Sequence, residues 1–197
     1  MKRKAVYVLA GTMVVVVAFS VWYLFVYLNP QTLREDFEIG LGEWVADAHV
    51  PSDPNKPGQL VEWSVTRVAG TARSGQYSIR LFIDGKQDDG TIWIERQLPV
   101  RRNMRVQVEV SFELHSQQQS FNTIAAVCAY GGVRNPEVEE DFTVLGPANQ
   151  VAGWKRYSFA TSVDTGSSDA ILVAVGISVR WETYMTYHID DVEVKVR

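Results

Sequence analysis

The sequence predicts an all-β protein, an antiparallel β-sandwich of jelly-roll type preceded by one transmembrane helix. Three observations carry this reading. An uncharged run fills Ala5 to Leu28, apolar alternation of period two dominates after Pro30, and no long amphipathic helical pattern appears anywhere in the remainder.

The run from Ala5 to Leu28 holds no Asp, Glu, Lys or Arg. Some two dozen residues at about 1.5 Å each cross a hydrocarbon layer roughly 30 Å thick. Backbone groups in lipid must pair within the segment, so a helix is expected despite the valines. Lys2, Arg3 and Lys4 mark the cytoplasmic end, while Trp22, Tyr23 and Tyr27 gather where the far headgroups would lie. The expectation is a single-pass protein with its N-terminus cytoplasmic and its C-terminal domain extracytoplasmic. A cleaved signal peptide fits less well, because its apolar core is shorter and ends in small residues. The boundaries that follow are a basic tip and anchor over 1–30, a linker over 31–35 after Pro30 stops the helix, and one sandwich over 36–197.

Composition narrows the partners. Of 197 residues, 46% are hydrophobic and 21% charged, which suits a packed fold rather than a disordered tail. Net charge is −4, and setting aside the three leading bases leaves the domain more acidic still. Such a domain is a poor partner for nucleic acid, which wants clustered Lys and Arg. Cys128 is the single cysteine, so no internal disulfide and no cysteine-rich zinc site can form. Its apolar setting, IAAVCAY, points to a buried, inert thiol.

Strands follow from the alternation. Val106, Val108, Val110, Phe112 and Leu114 alternate with polar residues, and Tyr77, Ile79, Leu81 and Ile83 fall on one side of a second strand. Ile92 and Ile94 share one face, leaving Trp93 and Glu95 on the other. Ile124–Tyr130 and Ile171–Val179 are apolar or small almost throughout and should be central. Leu60–Val65, Tyr157–Thr161 and Val192–Val196 complete about eight strands. Turn signals fall at 53–58, 88–90, 131–132 and 164–168. The acidic stretch within Gly132–Gln150 is expected as a solvated loop.

Four segments, DFEIGLGEW (Asp36–Trp44), ARSGQYSIRL (Ala72–Leu81), GWKRYSF (Gly153–Phe159) and YHIDDVEVKV (Tyr187–Val196), occur in an order that resembles jelly-roll carbohydrate-binding modules and the wider galactose-binding-like superfamily. The resemblance spans nearly all of the domain and implies its fold more strongly than its ligand. It implies a structural calcium held by Glu38 and Asp190, with Asp191 as the alternative and carbonyls near Ser74 and Gly75 as helpers. It also implies an aromatic platform on which the C–H face of a sugar ring packs. Trp93 is the leading candidate and Tyr130 a second. Polar partners are drawn from Arg80, Glu95, Arg96 and Gln107. Trp44, Trp63, Trp154 and Trp181 are expected in the core.

No catalytic pattern stands out. His49, His115 and His188 lack zinc-motif spacing, and neither a nucleophile elbow nor a phosphate loop is present. The expectation is a non-enzymatic binding module for an envelope or external glycan. The alternative is an accessory subunit that offers the same sandwich to a membrane or envelope protein.

Overall fold

The computed structural model describes residues 17, 18, 20, 31–84, 89–181 and 184–197. Most of the expected anchor lies outside them; Val17, Ala18 and Ser20 are helical. Among the described residues no helix is long and apolar enough to cross a membrane.

Among the described residues eleven strands follow in order: β1 (Gln31–Glu35), β2 (Val45–His49), β3 (Trp63–Ala69), β4 (Tyr77–Ile83), β5 (Thr91–Pro99), β6 (Arg105–Ser116), β7 (Ala125–Gly132), β8 (Thr143–Pro147), β9 (Gly153–Asp164), β10 (Ala170–Val179) and β11 (Thr186–Val196). One sheet runs β3-β4-β11-β6-β9, with β1 also on β11; the other runs β2-β5-β10-β7-β8. Every pair whose register is resolved is antiparallel. The result is the expected sandwich of two antiparallel sheets.

The core lies between the inner faces. Val106, Val108, Val110, Phe112 and Leu114 of β6 are buried, as are Ile79, Leu81 and Ile83 of β4 and alternate residues from Ile171 to Val179 of β10. Each such side chain contributes about 1.5–3 kcal/mol on leaving water. The strands missed by alternation are β1, β2 and β8, each five residues long and largely exposed or half-buried. The expected linker 31–35 is therefore β1, tied to β11 by Arg34, whose Nη2 and Nε donate to Glu193 Oε1 at 3.0 and 3.1 Å.

β11 changes parity midway. Ile189 and Val192 both face the core because the register shifts between Asp190 and Glu193, and Asp191 takes up the extra residue at φ 50°. This bulge hides β11's first half from a period-two reading. It also buries Asp190, whose Oδ2 accepts the Arg73 and Ser74 amides at 2.7 and 3.1 Å while Oδ1 accepts that of Asp191 at 2.7 Å.

A second carboxylate works the same way. Glu38 Oε1 accepts the Gln76 and Tyr77 amides, each at 2.8 Å. Arg67 donates to the carbonyl oxygens of Phe37 and Glu38 at 2.6 and 2.5 Å and lies 3.3 Å over the Tyr77 ring. Phe37 is thereby held in the core at φ 58°. Two carboxylates and one guanidinium thus join the β1–β2 connection, the β3–β4 turn and the β11 bulge.

Removing a buried acceptor from such a set strands its donors at about 1–3 kcal/mol. Asp190→Asn should lower the unfolding free energy in urea by that amount, because an amide turns donors toward donors. A change below about 0.5 kcal/mol would show that this carboxylate does not close the sandwich.

Candidate functional site

Trp93, Gly176 and Cys128 stand opposite one another on β5, β10 and β7, at the centre of the five-stranded sheet. Ile92 and Ile94 enter the core, so Trp93 points outward as expected, yet it is 0% exposed. The expected free platform is thus a buried side chain. β5 approaches β10 so closely that a Cβ at Gly176 would fall 2.2 Å from the Ile92 carbonyl oxygen and 2.7 Å from Trp93 Cβ. Phe142, from the β7–β8 connection, packs against the indole with ring centroids 4.9 Å apart. The indole N–H donates to Glu95 Oε2 at 2.8 Å.

Tyr130 and Phe142 are the half-buried rings of this face, with centroids 6.1 Å apart. Tyr130 lies forward along its own chain: its hydroxyl donates to the Arg134 carbonyl at 2.7 Å, and a Cβ at Gly132 would fall 2.1 Å from the Tyr130 hydroxyl oxygen. Gly131 and Gly132, expected as a turn, are strand residues, one packed toward Thr161 and Phe159 and the other making room for Tyr130. The β7–β8 connection is pinned by an Arg180–Glu139 ion pair and by Asp141 Oδ2, which accepts the Glu137 and Val138 amides. The expected acidic loop is therefore a strap across the face.

Carboxylates rim the rings. Burial pushes the Glu95 carboxyl up; the indole N–H opposes this, while Asp47 and Glu137 add to it. Burial likewise raises the Tyr130 hydroxyl and drives the Cys128 thiol far above its usual range, leaving that sulfur without thiolate character. Thr91 and Ser178, opposite one another nearby, are buried with hydroxyls that have no partner among the described residues.

The structure brings Trp93, Glu95 and Tyr130 together and separates them from Arg80, which lies on the outer face of the other sheet opposite His188. Arg96 pairs with Glu43 and Glu35, and Gln107 with Ser162. Trp44 is in the core and Trp63 packs against it. Trp154 instead lies against His115 on an outer face, and Trp181 is 55% exposed. Phe142 and Gly176 were not among the expected site residues; a lone glycine in an apolar strand was the available signal for Gly176.

Glu38, Asp190 and Asp191 also converge, but not as a calcium site. The turn at Arg73–Tyr77 offers them amide N–H groups where carbonyls were expected, and Asp191 Oδ1 accepts the Ser74 hydroxyl at 2.6 Å. An N–H cannot ligate a cation. Among the described residues no three His, Cys, Asp or Glu side chains group to hold a metal. The donor set does not fit the ion.

These features belong to a two-sheet antiparallel β-sandwich, and comparison with solved structures bears out the fold. One similar structure is described as the "structural basis for the promiscuous specificity of the carbohydrate-binding modules from the beta-sandwich super family"; it is 14% identical with a TM-score of 0.53, over 83% of this chain and 74% of that one. Another is the K3 cleaved adhesin domain of Lys-gingipain from Porphyromonas gingivalis, 11% identical with a TM-score of 0.51, over 85% and 99%. A CBM22-1 xylan-binding domain from Paenibacillus barcinonensis gives a TM-score of 0.49 at 15% identity, over 85% and 95%. No family model matches the sequence, and a search of the curated proteins gives no match.

Gly176→Ala should destabilise the sandwich by about 3 kcal/mol, the upper range for overpacking, because backbone rather than a flexible side chain opposes the methyl. A loss under about 0.5 kcal/mol in denaturant unfolding would refute the close approach. For Glu95, the folded carboxyl titrates above its unfolded value near 4.3, so between the two the folded state holds more protons and stability falls as pH rises. Glu95→Gln keeps an acceptor for the indole and should remove that part of the slope. An unchanged slope in melts across this window would contradict the assignment.

Proposed function

We propose that this protein is a non-catalytic glycan-binding module, held in a membrane by its N-terminal segment with the sandwich on the extracytoplasmic side. The observation that carries the reading is the Tyr130–Phe142 ring pair, half-exposed over a buried Trp93 and rimmed by Glu95, Asp47 and Glu137. A pyranose presents a patch of C–H groups that packs on such rings, while its hydroxyls donate to surrounding carboxylates. Trp93 serves as the base that fixes Phe142, and Glu95 as the acceptor that fixes the indole. The shared fold with modules described as carbohydrate-binding supports the same reading. The uncharged run Ala5–Leu28 after Lys2–Lys4 supports the tether and its orientation.

One observation favours the accessory-subunit reading. Trp181 and Tyr184 on the β10–β11 connection and Phe121 on the β6–β7 connection are all exposed. Exposed aromatic side chains are frequent anchors of protein interfaces. A partner that copurifies in fixed stoichiometry and is lost with Trp181→Ala would favour that reading over sugar.

On the glycan reading, full-length protein in detergent should bind members of a panel of neutral β-1,4-linked oligosaccharides. Tyr130→Ala or Phe142→Ala should weaken binding about tenfold or more, equivalent to roughly 1.4 kcal/mol, and Trp181→Ala should not. Unaltered affinity in both ring variants would remove the face from consideration.

A further inference from the structure

The outer face of the six-stranded sheet carries a row unlike its surroundings. Thr66, Arg80, His188, His115 and Trp154 stand opposite one another on β3, β4, β11, β6 and β9. Arg80, His188 and His115 alternate with buried residues, and the register places Thr66 and Trp154 on the same face. His115 makes edge contacts with both neighbours, its ring centroid 5.8 Å from His188 and 5.2 Å from Trp154. From Arg80 to Trp154 the row spans three strand spacings, about 14 Å.

The charges in the row are of one sign. Burial lowers both imidazoles, His188 to about 4, and His115 and Arg80 push His188 the same way. Arg80 therefore carries the positive charge at neutral pH, and each neutral imidazole keeps one N–H donor and one acceptor nitrogen, with His188 Nδ1 3.2 Å from Ser78 Oγ. The carboxylates one step along are already engaged: Glu113 lies 3.7 Å from Arg73 and 3.8 Å from Arg156, and Asp190 takes three amides. Among the described residues Arg80 pairs with no carboxylate, and Arg80 Nε and His115 Nδ1 are buried without a hydrogen-bond partner. Unsatisfied polar atoms of this kind call for a specific explanation in a folded protein.

Rings flank the charge on both sides. Trp154 is half-buried beyond His115, and Phe82, two residues along β4 from Arg80, contacts the exposed Tyr184 at a centroid distance of 5.4 Å. A planar guanidinium matches a carboxylate in a two-point geometry, and the adjoining rings suit the apolar face of a cyclic ligand. We propose that this row is a second binding site, on the sheet opposite Tyr130 and Phe142, for a carboxylate-bearing saccharide of the uronic acid type. Arg80 takes the carboxylate, His115 supplies a further donor, and Trp154 receives the sugar face. The choice of a saccharide as bearer of the carboxylate rests on the glycan-binding reading above.

The test is a titration of the full-length protein in detergent with trigalacturonic acid, its methyl ester and the neutral panel. Wild type should bind the acid about tenfold more tightly than the ester. Arg80→Gln should erase that preference, Arg80→Lys should retain part of it, and Tyr130→Ala should leave it intact. If Arg80→Gln does not fold, the imidazole signals of His115 and His188 in wild type should shift with the acid and not with the ester. Equal binding of acid and ester, silent imidazoles, or a preference lost with Tyr130→Ala would overturn the site. Neutral sugars binding through Tyr130 with no response to the acid would refute this inference alone; no binding of any sugar would refute the glycan reading with it.

Discussion

Gly176 is the constraint on which the candidate face depends. With no side chain there, β5 and β10 close to a distance that any Cβ would prevent, and Trp93 lies against the bare Gly176 backbone. The indole then becomes a floor rather than a platform. Phe142 packs on it, Tyr130 stands beside Phe142, and the absence of a side chain at Gly132 lets the phenol reach the Arg134 carbonyl. Two glycines on adjacent strands thus decide which aromatic rings meet solvent, without contributing an atom to the surface they shape.

The sandwich is closed by different chemistry. Carbonyl oxygens around an ion would tie first and last strands through a metal; here Glu38 and Asp190 meet at the β3–β4 turn through four of its backbone N–H groups. Both arrangements use the same carboxylates in the same part of the fold, and the direction of the intervening peptide units separates them. Arg67 belongs to the same assembly, since its bonds to the Phe37 and Glu38 carbonyls consume oxygens that a cation would otherwise use.

Much of the fold was legible because the buried strands are long and regular. β4 and β6 display their core faces as plain apolar periods and β10 is apolar or small almost throughout, and all three lie at or close to their expected bounds. β1, β2 and β8 were not legible, since short and exposed strands bury too little on one face to leave a period. The bulge at Asp191 broke β11 into two parities. For the site, the outward direction of Trp93 followed from Ile92 and Ile94, whereas its burial depended on Phe142 and Gly176, distant in sequence and without local signal. Arg80 was among the polar partners expected beside Trp93, but strand order places them on different sheets.

The proposed sugar surface on the five-stranded sheet consists of two half-buried rings over one hidden indole. Side-chain NMR of the aromatic signals during titration with a bound neutral oligosaccharide tests this most directly. The account predicts that the Tyr130 and Phe142 ring resonances move in proportion to occupancy while the Trp181 indole stays in place. Movement confined to Trp181, or none at Tyr130 and Phe142 at saturation, would contradict it.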